Sequence, residues 1–314
     1  MPSSALHAFA DHAAALPGAV LVVGGPTASG KSGLALELAR RLNGVVINAD
    51  SMQVYRELSV LTARPGPEAL AAAPHRLYGV LPAAEACSVA RWLALALAEI
   101  AACHAAGMLP VVVGGSGLYL RALMLGLSEL PEIAPEIRAA AREKLESLGP
   151  AGLHAELAAR DPATAARLKP GDRQRILRAW EVLEATGRPL ADWQREDRGA
   201  APPGLRFSTI VLDPPRVELY ESCDRRFDAM LAAGGLDEVR ALEALGLDPA
   251  LPALKALGVP ELRRHLVGEL SLAEAAALAR QSTRRYAKRQ VTWFRHQVIG
   301  KAEPLLTIPS LYRG

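Results

Sequence analysis

Gly25, four residues, and then Gly30-Lys31-Ser32 fit the pattern G-x-x-x-x-G-K-S/T. Such a pattern supplies glycines for a tight loop, backbone N–H groups to surround a phosphate, a lysine to add a full charge, and a hydroxyl able to ligate Mg²⁺. In "VVGGPTASGKSGLALELA" (22–39) it follows an apolar run and opens a helical pattern, the context the motif requires. Pro26, Thr27, Ala28 and Ser29 form the body of the loop, and Ser32 is the expected metal ligand. A phosphate held there can be passed on, hydrolysed, or released from a carbon that reacts. The loop alone does not choose.

Three further stretches carry candidate chemistry. In "NADSMQVYR" (48–56), Asp50 ends a second apolar run. At the carboxyl edge of a parallel sheet, a carboxylate can hold Mg²⁺ through water, accept a proton, or simply cap the next segment. In "VVVGGSGLYL" (111–120), Gly114, Gly115 and Gly117 would allow close approach of a ligand, and Ser116 offers a hydroxyl or a helix cap. In "GDRQRILRAWEV" (171–182), Gln174, Arg175 and Arg178 share one helical face. They could read bases and phosphates or form surface salt bridges.

The elements that must position these residues follow from periodicity. The apolar runs 18–25, 44–50 and 109–117 read as buried strands, with helices at 30–44 and 88–107 between them; Gly44 closes the first and Ser88 caps the second. Strand and helix in alternation imply a P-loop α/β fold, a parallel sheet with helices on both faces. Residues 207–213 read as a further strand. From about Leu130 helical patterns broken by Pro and Gly dominate, and 196–204 reads as a connector. The expected organisation is a core at 1–127, a mainly helical insertion domain at 128–200, and the rest of the core with basic C-terminal helices at 201–314.

Bulk properties narrow the class. The 314 residues are 50% hydrophobic and 22% charged, with a net charge of +3. No apolar run reaches the length of a membrane span, and the N-terminus lacks the basic start of a secretory signal. Cys87, Cys103 and Cys223 are odd in number and widely spaced, which reads as reduced thiols in a cytoplasmic protein. No heptad seam is visible, so a monomer is expected. No acidic residue lies between Glu274 and Glu303, a window holding Arg280, Arg284, Arg285, Lys288, Arg289, Arg295 and Lys301. Tyr286, Trp293 and Phe294 interleave with these charges, as suits phosphate contacts plus stacking, or a solvated basic face with aromatic core anchors.

Taken in order, "GPTASGKS", "NADSMQVYRELS", "TARP" (62–65), "PHRLYG" (74–79), "VVVGGSGLYLRAL", "GDRQRILRAWEVLEATG" and "STRRYAKRQVTWFR" resemble the tRNA dimethylallyltransferase (tRNA isopentenyltransferase) family, from residue 25 to 295. The resemblance implies a transferase that moves a dimethylallyl group from dimethylallyl diphosphate to the exocyclic amine of an adenine beside the tRNA anticodon. The loop would then hold a leaving diphosphate with Lys31 and Mg²⁺. Asp50 matches the family's general base, and Ser116 stands where the family usually has Thr. Asp50, Ser51, Met52, Gln53, Arg138, Gln174, Arg175, Ile176, Leu177 and Arg178 match positions that touch tRNA. Two departures stand out. Leu61 replaces the glycine of a common "GTAKP" string, and Val259-Pro260 in "KALGVPEL" (255–262) replaces an aromatic and a basic residue. The alternatives on motif grounds are a P-loop kinase that uses ATP on a nucleotide or metabolite, and a non-catalytic RNA-binding protein.

Overall fold

The computed structural model describes residues 3–128, 130, 132–196, 200–299 and 304–312; Lys301, Glu303 and part of the 196–204 connector lie outside them. The elements in order are α1 (Ser3–Ala14), β1 (Ala19–Gly24), α2 (Lys31–Arg41), β2 (Gly44–Asn48), α3 (Pro67–Ala72), β3 (His75–Arg76), α4 (Val89–Ala105), β4 (Leu109–Gly114) and α5 (Gly117–Leu125). There follow α6 (Pro135–Arg160), α7 (Pro162–Ala165), α8 (Arg173–Thr186), α9 (Leu190–Glu196), β5 (Arg206–Leu212), α10 (Arg216–Met230), α11 (Leu236–Glu243), α12 (Val259–Leu266), α13 (Leu272–Gln297) and β6 (Leu305–Ile308). They form two compact units: Met1–Met124 with Pro202–Gly314, and Leu125–Ala201.

In the first unit all six strands pair in parallel, in the order β3-β2-β4-β1-β5-β6. Strands β1, β2 and β4 are buried along their whole length because both faces are covered, as parallel sheets require, and only Asn48 at the end of β2 is polar. Alternate residues go to opposite sides. Val20, Val22, Ile47 and Val112 pack with Trp92, Ile100 and Phe294, whereas Leu21, Val23, Val46 and Val111 pack with Leu34, Leu38 and Ala10. Ser88 caps α4 by accepting the Arg91 N–H at 3.1 Å. The end of α2 differs from the expected one. Asn43 takes the left-handed turn (φ 51°), and Gly44 already belongs to β2. A Cβ on Gly44 would meet the Leu109 carbonyl at 2.9 Å, so its glycine serves strand packing.

The second unit is helical. α6 breaks at Gly149 (φ 68°) before Pro150, and its two halves pack Leu145, Leu153 and Leu157 against Ile176, Ala179 and Trp180 of α8. Asp161 and Asp172 cap α7 and α8, and Gly187 (φ 66°) ends α8.

Candidate active site

The phosphate loop folds as its residue types predict. Gly25 (φ 156°), Ala28 (φ 62°) and Gly30 (φ 89°) all have positive φ, which turns successive peptide groups to one side. Helix α2 then starts at Lys31, and among the described residues no side chain caps its first N–H groups, which a helix leaves without intrahelical partners. An uncapped helix start with its dipole is an anion site. The Ser29 Oγ is buried and has no hydrogen-bond partner among the described residues, an unmatched donor within the loop. A cavity of about 690 Å³ opens over the loop, lined by Thr27, Gly30, Lys31, Ser32, Asp50, Gln53, Thr62, Arg226 and Tyr312, among others.

Charge in this cavity is concentrated and under-hydrated. Lys31 is buried, its Nζ donates to the Pro26 carbonyl at 3.2 Å, and no carboxylate pairs with it among the described residues. Burial pushes its pKa down to about 8, opposed by the negative charge of Asp50 and reinforced by Arg226. Burial lowers the Arg226 pKa as well. The Arg226 guanidinium donates to Thr27 Oγ1, and Ser222 Oγ donates to the Ala28 carbonyl at 2.9 Å, so α10 steadies the loop from one side. The Tyr312 N–H donates to the Ser29 carbonyl at 3.0 Å, and a Cβ on Gly30 would strike the Tyr312 carbonyl.

Asp50 lies at the end of β2, where Trp92 Nε1 donates to the Asn48 carbonyl at 2.9 Å. Its Oδ1 accepts the Met52 N–H at 2.9 Å, so the capping role is real, yet the residue also lines the cavity. A second cavity of about 250 Å³ shares Thr27, Asp50, Thr62 and Arg226 with the first and adds Ser51, Met52, Lys255, Tyr286 and Arg289. One carboxylate thus borders both spaces.

Several sequence-assigned residues act behind this surface. The hydroxyl of Ser116 accepts the Ser51 N–H at 2.9 Å and donates to Ser51 Oγ at 3.2 Å; it braces the segment after Asp50. Gln53 Nε2 donates to the Thr62 and Ala63 carbonyls at 2.7 and 3.0 Å, holding the turn that borders the first cavity. The glycines at the end of β4 and just beyond it are filled from the protein side, and Gly114 also lines the first cavity. A Cβ on Gly114 would meet the Ala49 carbonyl at 2.1 Å, on Gly115 the Gln290 amide at 2.2 Å, and on Gly117 the Trp293 ring at 2.3 Å. They are notches for neighbouring protein groups. Leu61 is buried in the core with a negative φ, so the missing glycine costs no backbone strain. Val259 is likewise a buried core residue, with Gly258 (φ 90°) before it and Pro260 in the first turn of α12.

In the helical unit, Arg138, Gln174 and Arg175 are exposed, and Leu177 and Arg178 are half-buried. Ile176 is fully buried and belongs to the core. Arg175 pairs loosely with Asp172 and Arg178 with Glu181, each at 3.5 Å, so the salt-bridge reading describes the chain as it stands. On α13, Arg284 pairs with Asp224 and Arg280 with Asp228, both at 2.6 Å, which removes Arg284 from the set of free cations. Arg285, Lys288 and Arg289 instead line an open groove of about 560 Å³ with Trp293 and His296.

Sequence reasoning missed Arg226, Gln290 and Glu238. The first two carry a legible signal. Arg226 interrupts the buried stripe Leu219, Cys223, Phe227, Met230, and Gln290 interrupts Ala279, Thr283, Ala287, Phe294. A polar side chain on a buried stripe needs a partner. Glu238 carries no such mark. Its carboxylate accepts the N–H groups of Ser59, Val60 and Leu61 at 2.6 to 2.8 Å, a capture across 177 or more residues.

A sequence profile described as "IPP transferase" matches residues 53–297. The chain belongs to the IPP transferase family. A second profile, "Isopentenyl transferase", matches residues 18–84, which include the phosphate loop. The chain is 63% identical over 279 residues to the tRNA dimethylallyltransferase of Rhodospirillum centenum, covering 89% of each. It is 60% identical over 281 residues to that of Rhodospirillum rubrum, covering 89% of this chain and 86% of the relative. Solved structures agree. The tRNA isopentenylpyrophosphate transferase of Bacillus halodurans superposes with a TM-score of 0.65 at 33% identity, over 92% of this chain and 89% of that one. A eukaryotic dimethylallyltransferase acting on tRNA gives 0.79 at 27% identity, over 93% and 74%. The parallel sheet and phosphate loop are therefore those of the IPP transferase family, and its enzymes are prenyl transferases.

Proposed function

We propose that the chain transfers a dimethylallyl group from dimethylallyl diphosphate to the exocyclic amine of an adenine next to the anticodon of tRNA, releasing diphosphate. The observation that carries this reading is the shared cavity wall: a phosphate cradle and a carboxylate, Asp50, border the same space. The names of the relatives at 63% and 60% identity support the donor and the tRNA acceptor.

An aromatic amine is a weak nucleophile, so the leaving group must be strongly stabilised. Lys31, Arg226 and the uncapped N–H groups of α2 meet the negative charge that grows on the diphosphate as the carbon–oxygen bond breaks. Asp50 receives the proton that the amine sheds, while Ser116 and Ser51 hold its segment in place. The Ser32 hydroxyl, a hard oxygen donor lining the cavity, suits Mg²⁺. Ser32 would hold the ion, whose charge would offset that of the diphosphate. Among the described residues no cluster of three His, Cys, Asp or Glu side chains forms a separate metal site.

For tRNA, the exposed side chains of Arg138, Gln174 and Arg175 with Leu177 and Arg178, the segment Ser51–Gln53, and the groove of Arg285, Lys288, Arg289 and Trp293 provide cations and a stacking face. Among the described residues no helix is long and apolar enough to cross a membrane. The tRNA acceptor in the relatives' name supports a cytoplasmic enzyme, and we take it to act as a monomer. The test is incubation with undermodified tRNA, labelled dimethylallyl diphosphate and Mg²⁺, beside an arm with ATP as the sole phosphate donor. Label in tRNA from the first arm alone is expected. ATP turnover on a small acceptor, or tRNA binding without product, overturns the reading.

A further inference from the structure

Gln290 is 5% exposed, and both ends of its amide are engaged. Its Oε1 accepts the Thr27 N–H at 2.8 Å, and its Nε2 donates to the Gly115 carbonyl at 2.8 Å. The partners settle which end is which, because an N–H can only meet the oxygen and a C=O only the NH₂. Thr27 belongs to the phosphate loop after β1. Gly115 belongs to the turn after β4, one residue before Ser116, which in turn holds Ser51 beside Asp50. The turn is shaped around this amide: a Cβ on Gly115 would lie 2.2 Å from Nε2. Two neighbours of Gln290 on the same helix are seated the same way, Trp293 against Gly117 and Phe294 against Gly24. One helix therefore clamps the ends of two adjacent strands, and Gln290 alone among the three makes polar bonds to both.

We propose that Gln290 is a positioning residue for the transfer reaction. It fixes the distance between the loop that holds the leaving group and the segment that carries the proton acceptor. This role rests on the proposed prenyl transfer. It predicts a loss in the chemical step with little change in binding, because each half-site still has its own contacts while their mutual placement slackens.

The test uses the full chain and three variants, with thermal unfolding and tRNA filter binding as checks of folding. Gln290→Glu keeps the size and the acceptor for Thr27 but sets a carboxylate oxygen against the Gly115 carbonyl. At pH 8, kcat should fall at least about tenfold while KM for donor and for tRNA stays within about threefold. As the pH is lowered toward 6, the introduced carboxyl takes up a proton and regains a donor, so the variant-to-wild-type ratio of kcat should climb. Gln290→Leu should lose kcat with no such recovery. Gly115→Ala, whose Cβ would press on the same amide and come within 3.0 Å of the Gly25 carbonyl of the loop, should also lose kcat with KM preserved. A kcat within twofold of wild type in any folded variant, a ratio that is flat with pH in the Glu variant, or a loss confined to KM overturns the role. Should both Gln290 variants fail to fold, Gly115→Ala decides by the same measures. Wild-type protein that makes no prenylated tRNA overturns the proposed function itself, and this role with it.

Discussion

The phosphate cradle and the arginine face of α8 both read as charged sites, and they differ in how their charge is held. In the cradle, Lys31 and Arg226 come from segments 195 residues apart, sit under-hydrated, and have no carboxylate paired with them among the described residues. On α8, Arg175 and Arg178 lie on one helix, and each leans on a carboxylate three positions away. A desolvated cation interacts strongly with an incoming anion because little water screens it, whereas an exposed pair is worth about 0 to 1 kcal/mol. The lesson is that the cradle should act on the reaction, and the α8 face on the encounter with tRNA.

The sharpest way to break this contrast is at Lys31. Lys31→Ala should cost about 2 to 4 kcal/mol of transition-state stabilisation, the scale for one preorganised electrostatic donor, while tRNA affinity stays near wild type. Single-turnover rates and filter binding measure the two quantities, and near-normal turnover contradicts the assignment. Asp50→Asn comes next. Asparagine can still accept the Met52 N–H, so the local turn survives, but it cannot take a proton. Turnover should fall about a hundredfold or more with both affinities within a few fold, and added Mg²⁺ should not restore it. Full activity, or rescue by metal, would assign Asp50 to the turn or to the metal.

The pH dependence sharpens the contrast from the other side. Lys31 titrates near 8 in the free protein because burial disfavours its charge. Below that pH it is a cation ready for diphosphate, and above it the charge is lost. The kcat/KM for the donor should therefore decline above pH 8, by up to about tenfold per unit for one lost proton. Lys31→Arg, which stays charged, should lose that descending limb. A wild-type profile that stays level to pH 10 contradicts the burial argument.

The smallest effects belong to the exposed cations. Lys288→Ala or Arg289→Ala should each lower the log–log salt slope of tRNA binding by roughly 0.7 to 0.9, the value for one phosphate contact. Arg284→Ala should leave the slope unchanged, because Arg284 is paired with Asp224. A larger slope change at Arg284 than at Arg289 would reverse this division of α13.

The sequence by itself determined the parallel sheet, the phosphate loop and the place of Asp50. Each depends on local rules: continuous apolar runs, a strand-to-helix turn with glycines, and a carboxylate at a strand end. The string of motifs likewise led to the family from the chain alone. The tertiary structure decided what periodicity cannot express. Only packing shows that the glycines at the end of β4 and just beyond it receive Ala49, Gln290 and Trp293, since the space a glycine leaves is defined by atoms distant in the chain. Only packing separates Arg284, held by Asp224, from Arg285 and Arg289 in an open groove, since adjacent residues of one helix point in different directions. And only the fold brings Arg226 from α10 to a loop that began 200 residues earlier, because a bond such as that to Thr27 depends on distance in space and leaves no trace in spacing.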